Sequence, residues 1–223
     1  MAYVETLGFL WNTAGSYTKN MLPAMFLATI FFFAFLPLRR HRLARRGLHS
    51  GIRREGALFC FVLFCMGLGA LTLTPPGFWG SLLAGYPSPL FRGFSPVMNL
   101  IPVVELVPAL RGDPWNLFFL LGNMAMFAPL GFFPSLLWDK PSWRKAALIG
   151  FTSSFLIEFI QLFVARSTDV DDLILNTLGA LCGYWLYLLI NRLWPCAVSK
   201  FHCERRGDPI WTQNKKSNSL PES

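Results

Sequence analysis

Five apolar stretches, residues 21–38, 57–75, 116–138, 146–164 and 173–194, divide this chain into blocks that water will not cover. Each approaches the ~20 residues a helix needs to cross the hydrocarbon of a bilayer. A soluble core would interrupt its apolar positions at period 3.6 or 2, whereas these blocks are close to continuous. Composition agrees, with 53% of residues hydrophobic and only 14% charged, against about a quarter charged in an ordinary globular domain. Secreted disulfide scaffolds, disordered chains and soluble nucleotide-binding folds are excluded on the same grounds. A backbone in lipid must satisfy its own hydrogen bonds, so the expected fold is all-α, a polytopic transmembrane helix bundle of five spans.

The charges between the blocks set an expected orientation. The connection over residues 39–54, RRHRLARRGLHSGIRR, carries Arg39, Arg40, Arg42, Arg45, Arg46, Arg53 and Arg54. Lys140, Arg144 and Lys145 follow the third span, and Arg192, Lys200, Arg205, Arg206, Lys215 and Lys216 end or follow the fifth. With alternating spans, 16 of the 20 lysines and arginines fall on one side. That side is expected to be cytoplasmic, which puts the amino terminus outside and the carboxyl terminus inside the plasma membrane. The net charge of +8 thus reads as topology, and the partner it implies is the bilayer rather than nucleic acid.

The first span is not expected to be a signal peptide, because its arginines follow the apolar block instead of preceding it. Cys60, Cys65 and Cys182 lie in spans and Cys196 and Cys203 beyond the last, so no external disulfide is expected. Cys196, His202 and Cys203 are the one conceivable metal cluster, but two thiols and an imidazole in a polar tail are a weak set. No metal and no cofactor is expected. The chain divides into residues 1–56, a first span with its arginine loop; 57–194, the main membrane domain; and 195–223, a basic, disordered tail. The long connection over residues 76–115 is too apolar for a free loop and is expected to lie in the outer interface, with its Trp and Tyr at headgroup level.

Ionisable residues inside spans cost about 2.5–3.5 kcal/mol each at the bilayer centre on insertion scales, so each one marks a candidate site. Glu158 stands well inside the fourth span, with Ser154 at i−4 and Gln161 at i+3 on one helical face. The fifth span opens with Asp169, Asp172 and Asn176 at i, i+3 and i+7, and this face continues into Gly179 and Gly183. GALCG is a small-xxx-small pattern, which lets helix backbones approach closely. The third span carries Asn123 and then Pro129 and Gly131, a pair expected to bend or loosen it. At 1.5 Å per residue, Asn123 and Glu158 lie roughly 10 Å below the outer surface and Asn176 within about 5 Å of it. One acidic, amide-lined site at the outer side is therefore expected, roofed by the ARSTDVDD connection with Arg166, Asp169, Asp171 and Asp172. The alternative is that the amides only bond neighbouring helices, at about 0.6 kcal/mol each.

The segments NLIP from Asn99, N-x-x-x-F-x-P-L-G from Asn123, SFLIEFIQ from Ser154 and RSTDVDDLILNTLGA from Arg166, in this order and spacing, resemble the VanZ-like membrane proteins. That family is named for an accessory protein of glycopeptide (teicoplanin) resistance in Gram-positive bacteria. The resemblance spans residues 57–194 and implies a four-helix membrane core with its motif residues on the outer side, residues 1–56 adding one extra span. It carries Asn123, Glu158, Gln161, Arg166, Asp169, Asp172 and Asn176 over as motif positions, and no reaction with them.

Three functions fit these residues. An envelope protein would bind a lipid-linked or peptidoglycan-related ligand through Asn123, Gln161, Arg166 and Asn176 and alter glycopeptide susceptibility. An intramembrane enzyme would use Glu158 as acid or base, with Asp169 and Asp172 on a hard cation or cationic group. A proton-coupled transporter is the weakest, since no internal repeat is visible.

Overall fold

The computed structural model describes residues 2–75, 77–86, 98–99, 111, 114–164 and 168–205. Within them, α1 (Ala2–Arg45), α2 (Ile52–Leu73), α4 (Pro114–Leu137), α5 (Trp143–Val164) and α6 (Val170–Leu193) are the long helices, and α3 (Phe78–Leu83) and α7 (Pro195–Val198) are short. Each long helix contains a window long and apolar enough to cross a membrane. The expected all-α bundle of five spans is thus present. α1 begins far ahead of residue 21, and α2 begins at Ile52 instead of 57, because a helix need not stop where its sequence ceases to be apolar.

Which groups face inward identifies the solvent. On α5, Ala146, Gly150, Ser154, Glu158, Gln161 and Val164 are buried, while Phe151, Phe155 and Phe159 on another face are exposed and stack in sequence. Ser154 is 0% exposed and Phe155 51%, an inversion that suits hydrocarbon and would be costly in water. Phe31, Phe33 and Phe35 on α1 and Trp185 and Leu189 on α6 are likewise exposed.

The helices pack through small residues. α6 lies between α4 and α5, and Ala180, fully buried, faces a glycine on each of them. A Cβ on Gly131 would overlap the Ala180 carbonyl, and one on Gly150 would stand 2.6 Å from the Ala180 Cβ. Gly179 and Gly183 press in the same way on the main chain at Met124 and Ala128. The packing role expected of the two α6 glycines is therefore what the structure has. Gly131 also serves close approach, and α4 runs without a break through Pro129 and Pro134. α2 closes the core with Leu68 against Phe127 and Leu130, supported by Phe61, Phe64, Ile149 and Ile157. α1 sits outside this group against α2, with Ala24 and Ala28 buried and Met21 and Met25 over Gly67.

Connectivity gives the bundle two chemically different ends. At the basic end, the α1–α2 connection pairs with the chain after α6: β1 (Leu48–His49) runs antiparallel to β4 (Glu204–Arg205). Leu136, Tyr187 and Val198 form a second core cluster there, with Phe201 packed on it. Residues 195–205, at the start of the segment expected as a tail, thus contain α7, a 3₁₀ turn (Ser199–Phe201) and β4; residues 206–223 lie outside the described residues. At the other end, β2 (Met98–Asn99) pairs in parallel with β3 (Thr168–Asp169). α3 is tied to α1 by the Trp79 indole, which donates to the Asn20 carbonyl at 2.9 Å. Leu83 and Tyr86 beside it are exposed, and most of the remaining connection expected in the interface lies outside the described residues.

Candidate functional site

The polar residues of the spans meet at the end opposite the arginines. Asn123 on α4 donates from Nδ2 to Asp172 Oδ1 on α6 at 2.8 Å. One turn further along α6, Asn176 Nδ2 donates to Ser154 Oγ on α5 at 3.0 Å. Gln161 on α5 donates from Nε2 to the Thr72 carbonyl on α2 at 3.2 Å. Three side-chain bonds thus link α4 to α6, α6 to α5 and α5 to α2. Each falls on an i, i+3 or i+4 spacing already present in the sequence, which is why one helical face can hold several of them.

Glu158 lies between Ser154 and Gln161 on the buried face of α5 and is only 8% exposed. A carboxyl there is removed from water by the helices around it, not by lipid alone. Asp171 in the first turn of α6 is buried still more deeply, at 3%. Together with Asp172 it puts two acids at the positive end of a 24-residue helix, where the macrodipole favours negative charge. The cluster thus sets two acids at the start of α6 and, further along the helices, Glu158 among amide and hydroxyl groups.

Of the residues expected in the site, Asn123, Glu158, Gln161, Asp172 and Asn176 are brought to this end of the bundle, and Asn123 and Asp172 touch. Asp169 is placed by its backbone in β3 opposite Asn99, so residues 98–99 and 168–169 meet at this end of the bundle; its side chain lies outside the described residues, as does Arg166 altogether. Sequence spacing misses one member. The Thr72 acceptor is a main-chain carbonyl, which no side-chain pattern reveals. Asp171, expected in the connection above the site, instead lies buried in the first turn of α6. Cys196, His202 and Cys203 do not form a metal set: among the described residues no three His, Cys, Asp or Glu side chains stand close enough to hold an ion. All five cysteines are unpaired, and His202 Nδ1 instead lies 3.7 Å from Asp139 Oδ1.

A bundle of five apolar helices that turns polar side chains inward and exposes large apolar ones is a multi-pass membrane protein. The sequence profile of the VanZ/LLP1 family matches residues 24–191, most of the chain, and the protein belongs to that family. The matched stretch takes in the second half of α1, so it begins well ahead of residue 57. No curated protein and no solved structure matches the chain.

Proposed function

We propose that this protein is an envelope protein of the plasma membrane whose acidic end faces outward and binds a lipid-linked or peptidoglycan-related ligand, lowering susceptibility to glycopeptides. The amino terminus is outside and the carboxyl terminus in the cytoplasm, as the distribution of basic residues favours. Glu158 and Asp172 supply negative charge, and Asn123, Gln161 and Asn176 supply amide groups. Arg166 and Asp169, on the connection above them, complete the contacts. The observation that carries this reading is Glu158, a carboxyl buried on a polar face to which α5 and α6 both contribute. Such a group costs about 2.5–3.5 kcal/mol to insert and is not needed to hold apolar helices together.

The test is Glu158→Gln, which keeps the shape and removes the charge. Folded yield, glycopeptide susceptibility and the pool of lipid-linked cell-wall precursors are measured in the same cells. The expected outcome is normal yield with susceptibility equal to that of a deletion strain. Wild-type behaviour in all three measurements refutes the site, and a precursor that accumulates in the variant replaces binding with turnover.

A further inference from the structure

The basic end contains a buried charge imbalance that helix packing does not resolve. Glu55, buried in the first turn of α2, is paired with Arg39 near the end of α1. Arg54, the next residue, is only 8% exposed, and among the described residues its one hydrogen bond runs from Nη1 to Ser50 Oγ at 3.4 Å. Its Nε is buried without a partner, as is that of Arg39. Among the described residues, the buried Arg54 and the partly exposed Arg39 thus have a single acidic partner, Glu55, which pairs with Arg39 and keeps its own Oε1 buried without a hydrogen bond; buried charges normally carry a partner.

A cavity of about 320 Å³ opens directly beside this group, lined by Arg40, Leu43, Ala44, Leu48, His49, Ser50 and Ile52. Ser50 belongs to both features. Its oxygen accepts from Arg54, so its proton is free to be donated into the cavity. Its lining thus offers the Arg40 guanidinium, the His49 ring and the Ser50 hydroxyl, to which Arg54 is bonded. It also offers the apolar side chains of Leu43, Leu48 and Ile52, the last almost fully exposed.

The geometry points to a site for the headgroup of an anionic phospholipid, its phosphodiester against Arg40, His49 and Ser50 and its glycerol and upper acyl carbons against Leu43, Leu48 and Ile52. A phosphate supplies the charge that Arg54 lacks, and guanidinium groups match it well. Apolar residues in the same lining as the basic ones favour an amphiphile over a free anion. A basic pocket between membrane helices at the headgroup level is where such lipids bind.

The full chain is purified in neutral detergent, and binding of phosphatidylglycerol and phosphatidylcholine is measured by native mass spectrometry, with inorganic phosphate as competitor. Arg40→Gln, an exposed position, tests the lining; Arg54→Gln tests the buried charge; Arg46→Gln, exposed on the same connection but outside the cavity, is the control. Phosphatidylglycerol should bind preferentially, and Arg40→Gln should weaken it by roughly five- to tenfold while leaving phosphatidylcholine unchanged, the value of one guanidinium near a lipid phosphate. Arg54→Gln should do the same, and Arg46→Gln should not. Equal loss in Arg46→Gln and Arg40→Gln would show only diffuse attraction and overturn the site. Equal affinity for the two lipids, or full competition by inorganic phosphate, overturns the lipid assignment.

Discussion

Replacing Gly183 by alanine adds one methyl group at one of the tightest helix contacts among the described residues, and the sign of its effect can be worked out beforehand. The new Cβ would stand 2.7 Å from the Ala128 carbonyl carbon and 3.0 Å from the Phe132 nitrogen, and would overlap the Ala128 oxygen. All three atoms are backbone of α4, so no rotamer change relieves the clash. Ordinary contact lies at about 3.5–4.0 Å, so α4 and α6 must part by on the order of 1 Å. Overpacking of this kind costs about 3 kcal/mol, at the upper end of the usual range. Alanine returns up to about 1 kcal/mol through its better helix propensity, for a net loss near 2 kcal/mol, roughly 30-fold in the folded-to-unfolded ratio. The comparison is Gly69→Ala on α2, where nothing lies within 4 Å of the added carbon and only the propensity gain operates. Equilibrium unfolding in mixed micelles with increasing dodecyl sulfate should place Gly183→Ala below and Gly69→Ala at or above wild type. Equal stability of the two variants would mean that α4 and α6 do not meet at Ala128, and the packing described above would be wrong.

Reporter fusions after Ser50 and Ser217 should report cytoplasm and one at Thr168 the exterior; a cytoplasmic signal at Thr168 reverses the bundle and removes the outward site. In a double-mutant cycle in the same micelles, Asn123→Ala and Asp172→Ala should couple by about 1.5 kcal/mol, near the top of the range for bonds between membrane helices because one partner is a carboxylate. Additivity within about 0.3 kcal/mol would deny the bond. Gln161→Leu should lower stability by about 1 kcal/mol, since the Thr72 carbonyl lies in the last turn of α2 and has no donor within that helix; a loss of several kcal/mol would show that Gln161 holds more than Thr72.

The spans were legible in the sequence because bilayer thickness imposes a length that few other folds require. The inward polar faces were legible too, through the spacing of Ser154, Glu158 and Gln161 and of Asp172 and Asn176. What the sequence could not show is which helix stands opposite each face. Gly131 beside Pro129 looks like a weak point in a helix until Ala180 is seen pressed against it. Gln161 has no evident partner until the end of α2 is placed beside α5. At the basic end, residues 52–56 read as loop because they are charged; α2 nevertheless starts at Ile52, and its first turn buries Arg54 and Glu55. Charge is a sound guide to which side of a membrane a segment takes and a poor guide to whether an individual side chain is buried.

The acidic end combines two kinds of polar group, and their energetics separate them. Asn123 with Asp172, Asn176 with Ser154 and Gln161 with Thr72 are bonds between helices, and at an average of about 0.6 kcal/mol each they contribute roughly 2 kcal/mol together. They are sufficient to fix the rotation of four helices about their axes. Small residues already bring those helices into contact, so these bonds select a geometry more than they drive association. Glu158 and Asp171 belong to a different account, because replacing buried charged groups with apolar ones of similar size is often neutral or stabilising. Asp171 regains part of its cost from the macrodipole at the start of α6, whereas at Glu158, in mid-helix, stability alone would favour an apolar side chain. The amides are the frame, and the acids are what the frame holds in place.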